Sequence, residues 1–296
     1  MPVDIAFVTV NYNTLDCVKH LADFFNTLDV SFTFTFTVVD NHSTDGSQEF
    51  LESHPDVEYL QTGENLGYGR GMNGGVAATR SKYVCVMNTD LILNRDALVK
   101  LWHFLEERPD VGVCAPRIAY GDGRDQGMVF KASLFAFYAN WFAKLLAGQE
   151  KRRIARATVP VKVEGVMGAF FLIRREVIPS PTLFDKDFFL FYEDTALAHT
   201  LKNKGVTCYI VPGANIMHVG GKSGSANSVS AFYQNRYLYL TKFYGPSHAK
   251  AVNSLDRFRI LRKWMVYSLL SRITSSPRIM EKQRHYELAW EAARLK

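Results

Sequence analysis

Short β-rich runs alternate with helix-periodic stretches through the first half of the chain. That alternation restricts the fold to a largely parallel sheet whose strands are joined by crossover helices. Asp4 to Val10 reads as a strand and Leu15 to Leu28 as a helix; Phe32 to Val39 is a second strand, Asp45 to Ser53 a helix, and Val57 to Leu60 a short third strand. Tyr68 to Thr79 is helical despite its glycines, and Tyr83 to Met87 is apolar enough to lie at the centre of the sheet. In open sheets of this kind, ligand-binding groups gather at the carboxyl ends of the strands.

Beyond this alternation, Arg95 to Glu107 reads as a helix and Val111 to Pro116 as a strand. Lys131 to Leu146 is rich in aromatic and aliphatic residues, and a basic cluster follows at Lys151, Arg152, Arg153 and Arg156. Val161 to Ile173 reads as one strand, Glu193 to Lys204 as a helix, Val206 to Val211 as a strand, and everything from Ser228 onward as helix. With 296 residues and 47% apolar content, the chain can bury a large core. Cys17, Cys85, Cys114 and Cys208 are scattered, form no CxxC pair and read as reduced core residues of a cytoplasmic protein. The opening residues lack a basic start before a long apolar stretch, and no window approaches the roughly 20 apolar residues that span a bilayer, so neither export nor spanning is expected.

Five stretches carry chemistry. Asp40 ends the second strand in Val38-Val39-Asp40-Asn41-His42-Ser43, where a carboxylate can accept hydrogen bonds from a base N–H or from ribose hydroxyls. The same residues also make a well-capped strand-to-helix turn. Glu64-Asn65-Leu66-Gly67-Tyr68-Gly69-Arg70-Gly71-Met72-Asn73-Gly74-Gly75 holds five glycines at a helix start. Glycine costs about 1 kcal/mol per helical site relative to alanine, so the run calls for a close approach of some kind, by a bound nucleotide or within a tight loop. Its spacing fits neither the P-loop nor the dinucleotide fingerprint.

Asn88-Thr89-Asp90 leaves the apolar strand with a carboxylate that can hold a hard divalent cation or cap the next helix. Glu193-Asp194 follows the aromatic run Phe188 to Tyr192. Apolar neighbours raise a carboxylate's pKa and suit it to general-base work, while acids also favour a helix N-terminus. His218 precedes Val219-Gly220-Gly221-Lys222-Ser223-Gly224-Ser225. It is a candidate second metal ligand beside Asp90 or a structural histidine, and Lys222 is a candidate phosphate contact.

In this order the stretches, with Val8 to Asn13 and Gly168 to Arg175, resemble the inverting family 2 glycosyltransferases of the GT-A fold, over roughly Ile5 to Tyr244. The pattern is most similar to the bacterial rhamnosyltransferase-like branch. The resemblance implies an α/β, Rossmann-like, mixed but mostly parallel central sheet flanked by helices, with a catalytic domain over 1–245 divided near 117 and a helical C-terminal extension over 246–296. It implies a nucleotide-sugar donor, dTDP-L-rhamnose or another dTDP- or UDP-linked hexose, and a glycan or lipid-linked glycan acceptor. It further implies a divalent cation, Mg2+ or Mn2+, at Asp90 and His218, and donor contacts from Asn11, Asp40, Asn65, Gly67, Asn73, Asn88 and Lys222. Catalysis falls to the Glu193–Asp194 pair with Asp194 as base. One departure is Ala196, where relatives of the pattern Glu-Asp-x-Asp-Leu carry a second aspartate; a catalytically silent nucleotide-sugar binder is the competing reading.

The formal charge of +6 lies entirely in Ala251 to Lys296, which has ten Lys or Arg against four Asp or Glu. There Phe258, Ile260, Leu261, Trp264, Met265, Leu269 and Leu270 interleave with Arg257, Arg259, Arg262, Lys263 and Arg272. Such a segment suits peripheral contact with the inner face of a cytoplasmic membrane, or a helix docked on the catalytic domain with its arginines solvated. No nucleic-acid-binding module accompanies the charge, so nucleic acid is not an expected partner.

Overall fold

The computed structural model describes residues 2–126, 134–219 and 226–294. Strands β1 (Val3–Asn11), β2 (Phe34–Asp40), β3 (Glu58–Gln61) and β4 (Ser81–Met87) run parallel, in the spatial order β3-β2-β1-β4. Helices α1 (Leu15–Asn26), α2 (Ser47–Glu52) and α3 (Tyr68–Ala78) are the crossovers between them. Ile5, Ala6, Phe7 and Val8 on β1, and Tyr83 to Met87 on β4, are all buried. Both faces of these strands are covered, and for that reason they read as continuous apolar runs rather than alternating ones. Because β2 and β4 leave β1 on opposite sides, the strand order reverses at β1, and the crevice beyond the carboxyl ends of β1 and β4 is the switch point where ligands bind in such sheets.

The remaining strands make the sheet mixed. After β5 (Leu91–Ile92), α4 (Arg95–Glu107), β6 (Val113–Tyr120), α5 (Leu134–Tyr138) and α6 (Asn140–Arg156) come β7 (Val161–Val163), β8 (Phe170–Arg174), α7 (Glu193–Asn203) and β9 (Cys208–His218). The strand order continues from β4 through β8 and β6 to β9 and β5; β8 is antiparallel to both β4 and β6, β9 is parallel to β6, and β7 pairs with β9 off the main path. The expected single strand from Val161 to Ile173 is two strands serving different neighbours, because Gly165 to Gly168 interrupts it. The expected strand from Val206 runs on to His218 through a bulge that shifts the register opposite Pro116 and Arg117.

Two buried or half-buried arginines hold this inserted strand. Arg174 donates to the carbonyls of Val111, Leu105 and Arg108 and to the Tyr83 hydroxyl, closing the end of α4. Arg175 donates to the carbonyls of Ser81 and Val76 and to the hydroxyls of Thr79 and Ser81, closing the end of α3. Each brings side-chain donors to backbone carbonyls at and just beyond a helix end.

The described residues form two compact units. One is drawn from Met1–Ala132, Lys144–Phe189 and Glu193–Gly221, the other from Ser133–Ala143, Leu190–Tyr192 and Lys222–Lys296. The second contains α8 (Ala226–Tyr244), α9 (Pro246–Ile273) and α10 (Pro277–Arg294), separate helices because Gly245 and Pro277 break the helical pattern that runs from Ser228 onward. Its core joins Val229, Ile260, Ala289 and Ala293, flanked by Tyr233, Tyr286, Leu288 and Trp290. Buried Asp256 on α9 pairs with Arg236 on α8 at 2.6 Å and with Arg259 at 3.1 Å.

Candidate active site

β1 and β2 end side by side, with Asn11 in register with Asp40. Asn11 Nδ2 donates to Asp40 Oδ1 at 2.7 Å and to Ser43 Oγ at 3.0 Å, and its Oδ1 accepts from the Thr14 hydroxyl at 2.6 Å. Asp40 is fully buried; besides Asn11 it accepts from the Ser43 amide and hydroxyl and, at 3.3 Å, from Gln61 Nε2. A buried carboxylate with four donors is a stable structural node as it stands, and the Gln61 contact is its longest.

The glycine-rich run is explained by packing. Gly67 has φ +80°, and a Cβ there would fall 2.3 Å from the Phe189 carbonyl; a Cβ on Gly75 would sit 2.5 Å from Val8 Cγ1 and 2.7 Å from Val39 Cγ2. The first glycine lets the 188–189 loop touch α3, and the second lets α3 lie flat on β1 and β2. Asn65 Oδ1 caps the turn by accepting from the Gly67 amide, and Asn73 exchanges two 2.8 Å hydrogen bonds with the Phe184 backbone. Asn73 therefore docks the loop that leads to the acidic pair, and Asn65 fixes the turn that carries Gly67.

Asp90 and His218 are brought together across β5 and β9, where Leu91 pairs with His218 and the Val219 amide donates to the Asp90 carbonyl. His218 Nε2 lies 2.8 Å from Asp90 Oδ1, and Nδ1 lies 2.8 Å from Gln126 Oε1. Asp90 does not cap α4, since Asn94 does so by accepting from the Ala97 amide. Gln126 has no sequence signal, being a lone amide in an irregular stretch. With Gln126 Oε1 accepting from Nδ1–H, Nε2 is the nitrogen left for a cation bound beside Asp90, the way a ligating imidazole is oriented from behind. Among the described residues no third His, Cys, Asp or Glu joins the pair, so a divalent cation there would take its other ligands from phosphate oxygens and water.

The acidic pair opens α7, after Phe191 and Tyr192 turn the chain through left-handed backbone at φ 67° and 69°. Asp194 Oδ2 accepts from the Gly168 amide at 3.1 Å and Oδ1 from the Thr195 amide at 2.6 Å. Burial raises its pKa against the opposing pull of those N–H donors. Glu193 is buried with no partner at Oε2, and burial together with the neighbouring Asp194 charge pushes it well above the ordinary carboxylate range. Tyr68 donates to the Gly168 carbonyl at 2.9 Å; burial raises its pKa, with the charges of Glu193, Asp194 and Asp90 adding to the effect. Ala196 is buried in α7, where a methyl fills core space that an aspartate could enter only with a partner.

The two acid centres meet on one stretch of β8's approach. The Asn88 amide, two residues before Asp90, donates to the Ala169 carbonyl at 2.9 Å, and Gly168 next to it holds Asp194. Both centres therefore stand at the carboxyl end of β4. The Asn11–Asp40 node lies at the same edge of the sheet, through β1. Lys222 and the rest of the glycine-rich segment after Val219, residues 220–225, lie outside the described residues.

Residues 8–179 match the family model described as glycosyl transferase family 2. Among curated relatives, the low-salt glycan biosynthesis hexosyltransferase Agl10 of Haloferax volcanii is 22% identical over 281 residues, covering 90% of this chain and 85% of its own. The N-acetylglucosaminyl-diphospho-decaprenol L-rhamnosyltransferase of Mycobacterium tuberculosis is 25% identical over 226 residues, covering 69% and 73%. Among solved structures, the mannosyltransferase PcManGT of Pyrobaculum calidifontis, in complex with GDP-Man and Mn2+, aligns with TM-score 0.57 at 16% identity over 100% of this chain and 87% of its own. GalNAc-T7 with UDP, GalNAc and Mn2+ aligns at 0.56 and 14%, over 85% and 55%.

Proposed function

The chain belongs to glycosyl transferase family 2 and has the GT-A fold; from that premise we propose that it transfers L-rhamnose from dTDP-L-rhamnose, with inversion, to a hydroxyl of a cell-surface or lipid-linked glycan. The observation that carries the reading is the tethering of Asp194 and of Asn88, two residues before Asp90, to the adjacent residues Gly168 and Ala169, which brings a proton acceptor and a cation-binding pair to one end of the sheet. The name of the mycobacterial relative supports rhamnose.

In this mechanism the Asp194 carboxylate takes the proton of the acceptor hydroxyl as its oxygen bonds to the anomeric carbon, while the bond from that carbon to the diphosphate breaks on the opposite side. The raised pKa makes Asp194 a stronger base than a solvated aspartate. Neutral Glu193 adds no second charge beside it. Asp90 and His218 would hold a divalent cation, Mg2+ or Mn2+, which would offset charge growing on the leaving diphosphate. Asn88 and Lys222 serve the diphosphate. Asp40 reads the N–H shared by thymine and uracil, with Gln61 yielding its place, and Asn11, Asn65, Gly67 and Asn73 shape the donor pocket from behind.

A second reading, another dTDP- or UDP-hexose donor, is favoured by the greater coverage of the Haloferax hexosyltransferase. Thermal-shift titration with dTDP, UDP and their sugars, with and without Mn2+ or Mg2+, followed by transfer assays on the stabilising donors, separates the two. Stabilisation by dTDP-L-rhamnose that grows with metal, and its turnover, is the expected result. Turnover of UDP-hexoses alone replaces rhamnose with the second reading, and a chain stabilised by no nucleotide under either condition ends both.

A further inference from the structure

Helix α9 carries a face that the core of its own unit does not use. Ile260 and Val252 turn inward, whereas Leu255, Phe258, Met265, Val266, Leu269 and Ile273 point outward along the same 28-residue helix, with Phe258 67%, Leu269 60% and Ile273 74% exposed. Their spacing of three, four and seven residues sets them in one stripe. Single exposed apolar residues are ordinary, but a continuous stripe of this length marks a contact surface. Exposed Arg262 sits inside the stripe, and Lys263 and Arg272 border it. From Arg257 to Met280 the chain has six basic residues and no acidic one. The one acid just before, Asp256, is buried and already paired with Arg236 and Arg259.

We infer that this face of α9 is a docking surface for an anionic lipid bilayer, the stripe entering the acyl boundary and the basic side chains meeting the headgroups. No described helix is long and apolar enough to cross a membrane, so the contact is interfacial. Charge selects the occupant. A two-fold contact between copies of this chain through the stripe would enclose Arg262 of each copy in an apolar seam, and because an isologous interface presents the same patch from both sides, the facing segment brings no acid to answer it. A bilayer bearing anionic headgroups lets the same arginine keep its stem in the apolar layer and its guanidinium at the phosphates. The inference concerns a surface and holds whichever sugar the catalytic unit transfers.

Co-sedimentation of the full chain with phosphatidylcholine vesicles, with and without phosphatidylglycerol, tests it, alongside sedimentation velocity of the free protein. The expected result is partitioning onto the anionic vesicles only. R262Q/R272Q should weaken it by about thirtyfold, since each basic group near an anionic surface is worth roughly a factor of five. L269S/I273S should abolish it with circular dichroism and Tm unchanged, because both side chains are exposed. Wild type left in the supernatant with anionic vesicles, equal binding by L269S/I273S, or a dimer that the same substitutions dissolve in place of vesicle binding would each overturn the proposal.

Discussion

At the residue scale the acidic pair is the most informative feature, because its two members have opposite needs. Asp194 keeps donors on both oxygens, and Glu193 has none at Oε2. Replacing Asp194 by Asn removes the proton acceptor at little change in shape, so kcat should fall by roughly 10²–10⁴ while nucleotide affinity is kept; unchanged turnover in a stopped assay would remove Asp194 as base. With its pKa raised by burial, the acid limb of kcat/KM should lie above the ordinary aspartate value of about 3.9. Glu193 gives a stability signature of known sign. A carboxyl whose pKa is raised on folding holds its proton more tightly in the folded state, so its contribution is intact at low pH and is lost as pH rises through the folded value. Glu193→Gln should therefore match wild type below the ordinary glutamate pKa and exceed it at neutral pH, by on the order of 1–3 kcal/mol in denaturant melts. A third residue, Gln126, orients His218 from behind. Gln126→Ala should weaken Mn2+ binding by about 10–100-fold with the protein still folded, and an unchanged Mn2+ titration would show that Nδ1 needs no partner.

At the scale of elements, α3 shows how local packing can imitate a ligand motif. Gly74 and Gly75 are adjacent, yet a Cβ on Gly74 meets Leu60 at an ordinary 3.6 Å while one on Gly75 drives into two buried valines. Gly74→Ala should raise stability by up to about 1 kcal/mol through helix propensity, and Gly75→Ala should lose roughly 1–3 kcal/mol through overpacking. Thermal melts of the pair check both, and two equal effects would mean that propensity alone governs the run. The same helix marks the limit of what the amino-acid sequence discloses. The strands β1 and β4 are legible as apolar runs because both faces are buried, β2 as an alternation of Phe and Thr that ends in two valines, and Asp40 and Asp90 as polar residues just past such runs. The insertion of β8 between β4 and β6 is not, because an antiparallel strand buried on both faces carries the same apolar signature as a parallel one. Asn65, Asn73 and the glycines suggest a nucleotide when met in sequence; in the fold Asn65 accepts from the Gly67 amide, Asn73 bonds the Phe184 backbone, and Gly67 and Gly75 closely approach the Phe189 carbonyl and the valines of β1 and β2. Gln126 is silent in the sequence because its position depends on β6 and β9 lying in register, a long-range fact with no local period.

At the scale of the whole molecule, the carboxylates and the histidine assigned to chemistry belong to one compact unit and the positive charge to the other. Asp40, Asp90, Asp194 and His218 all lie in the first, whose sheet has its own core, and the net charge of residues 251–296 falls in the second. Within the second unit, α8 depends on α9 and α10. Val229 and Tyr233 are covered by Ile260, Ala289 and Ala293, and Arg236 is neutralised by Asp256 at 2.6 Å. Ending the chain at Tyr244 would expose that apolar face and leave Arg236 without its carboxylate, a change that costs several kcal/mol where the charge stays buried. It would also weaken the support of Leu190–Tyr192, whose Leu190 carbonyl accepts from Asn235 and whose Tyr192 hydroxyl accepts from Arg236. Phe191 and Tyr192, with their left-handed backbone, immediately precede Glu193, and such backbone costs about 1–3 kcal/mol per residue unless its surroundings enforce it. The truncated chain should accordingly bind ANS, aggregate at micromolar concentration and lose transfer more than it loses nucleotide binding. The balance of those two losses is the deciding measurement. Retention of full transfer by a monomeric truncation would mean that Leu190–Tyr192 and α8 keep their geometry without α9 and α10.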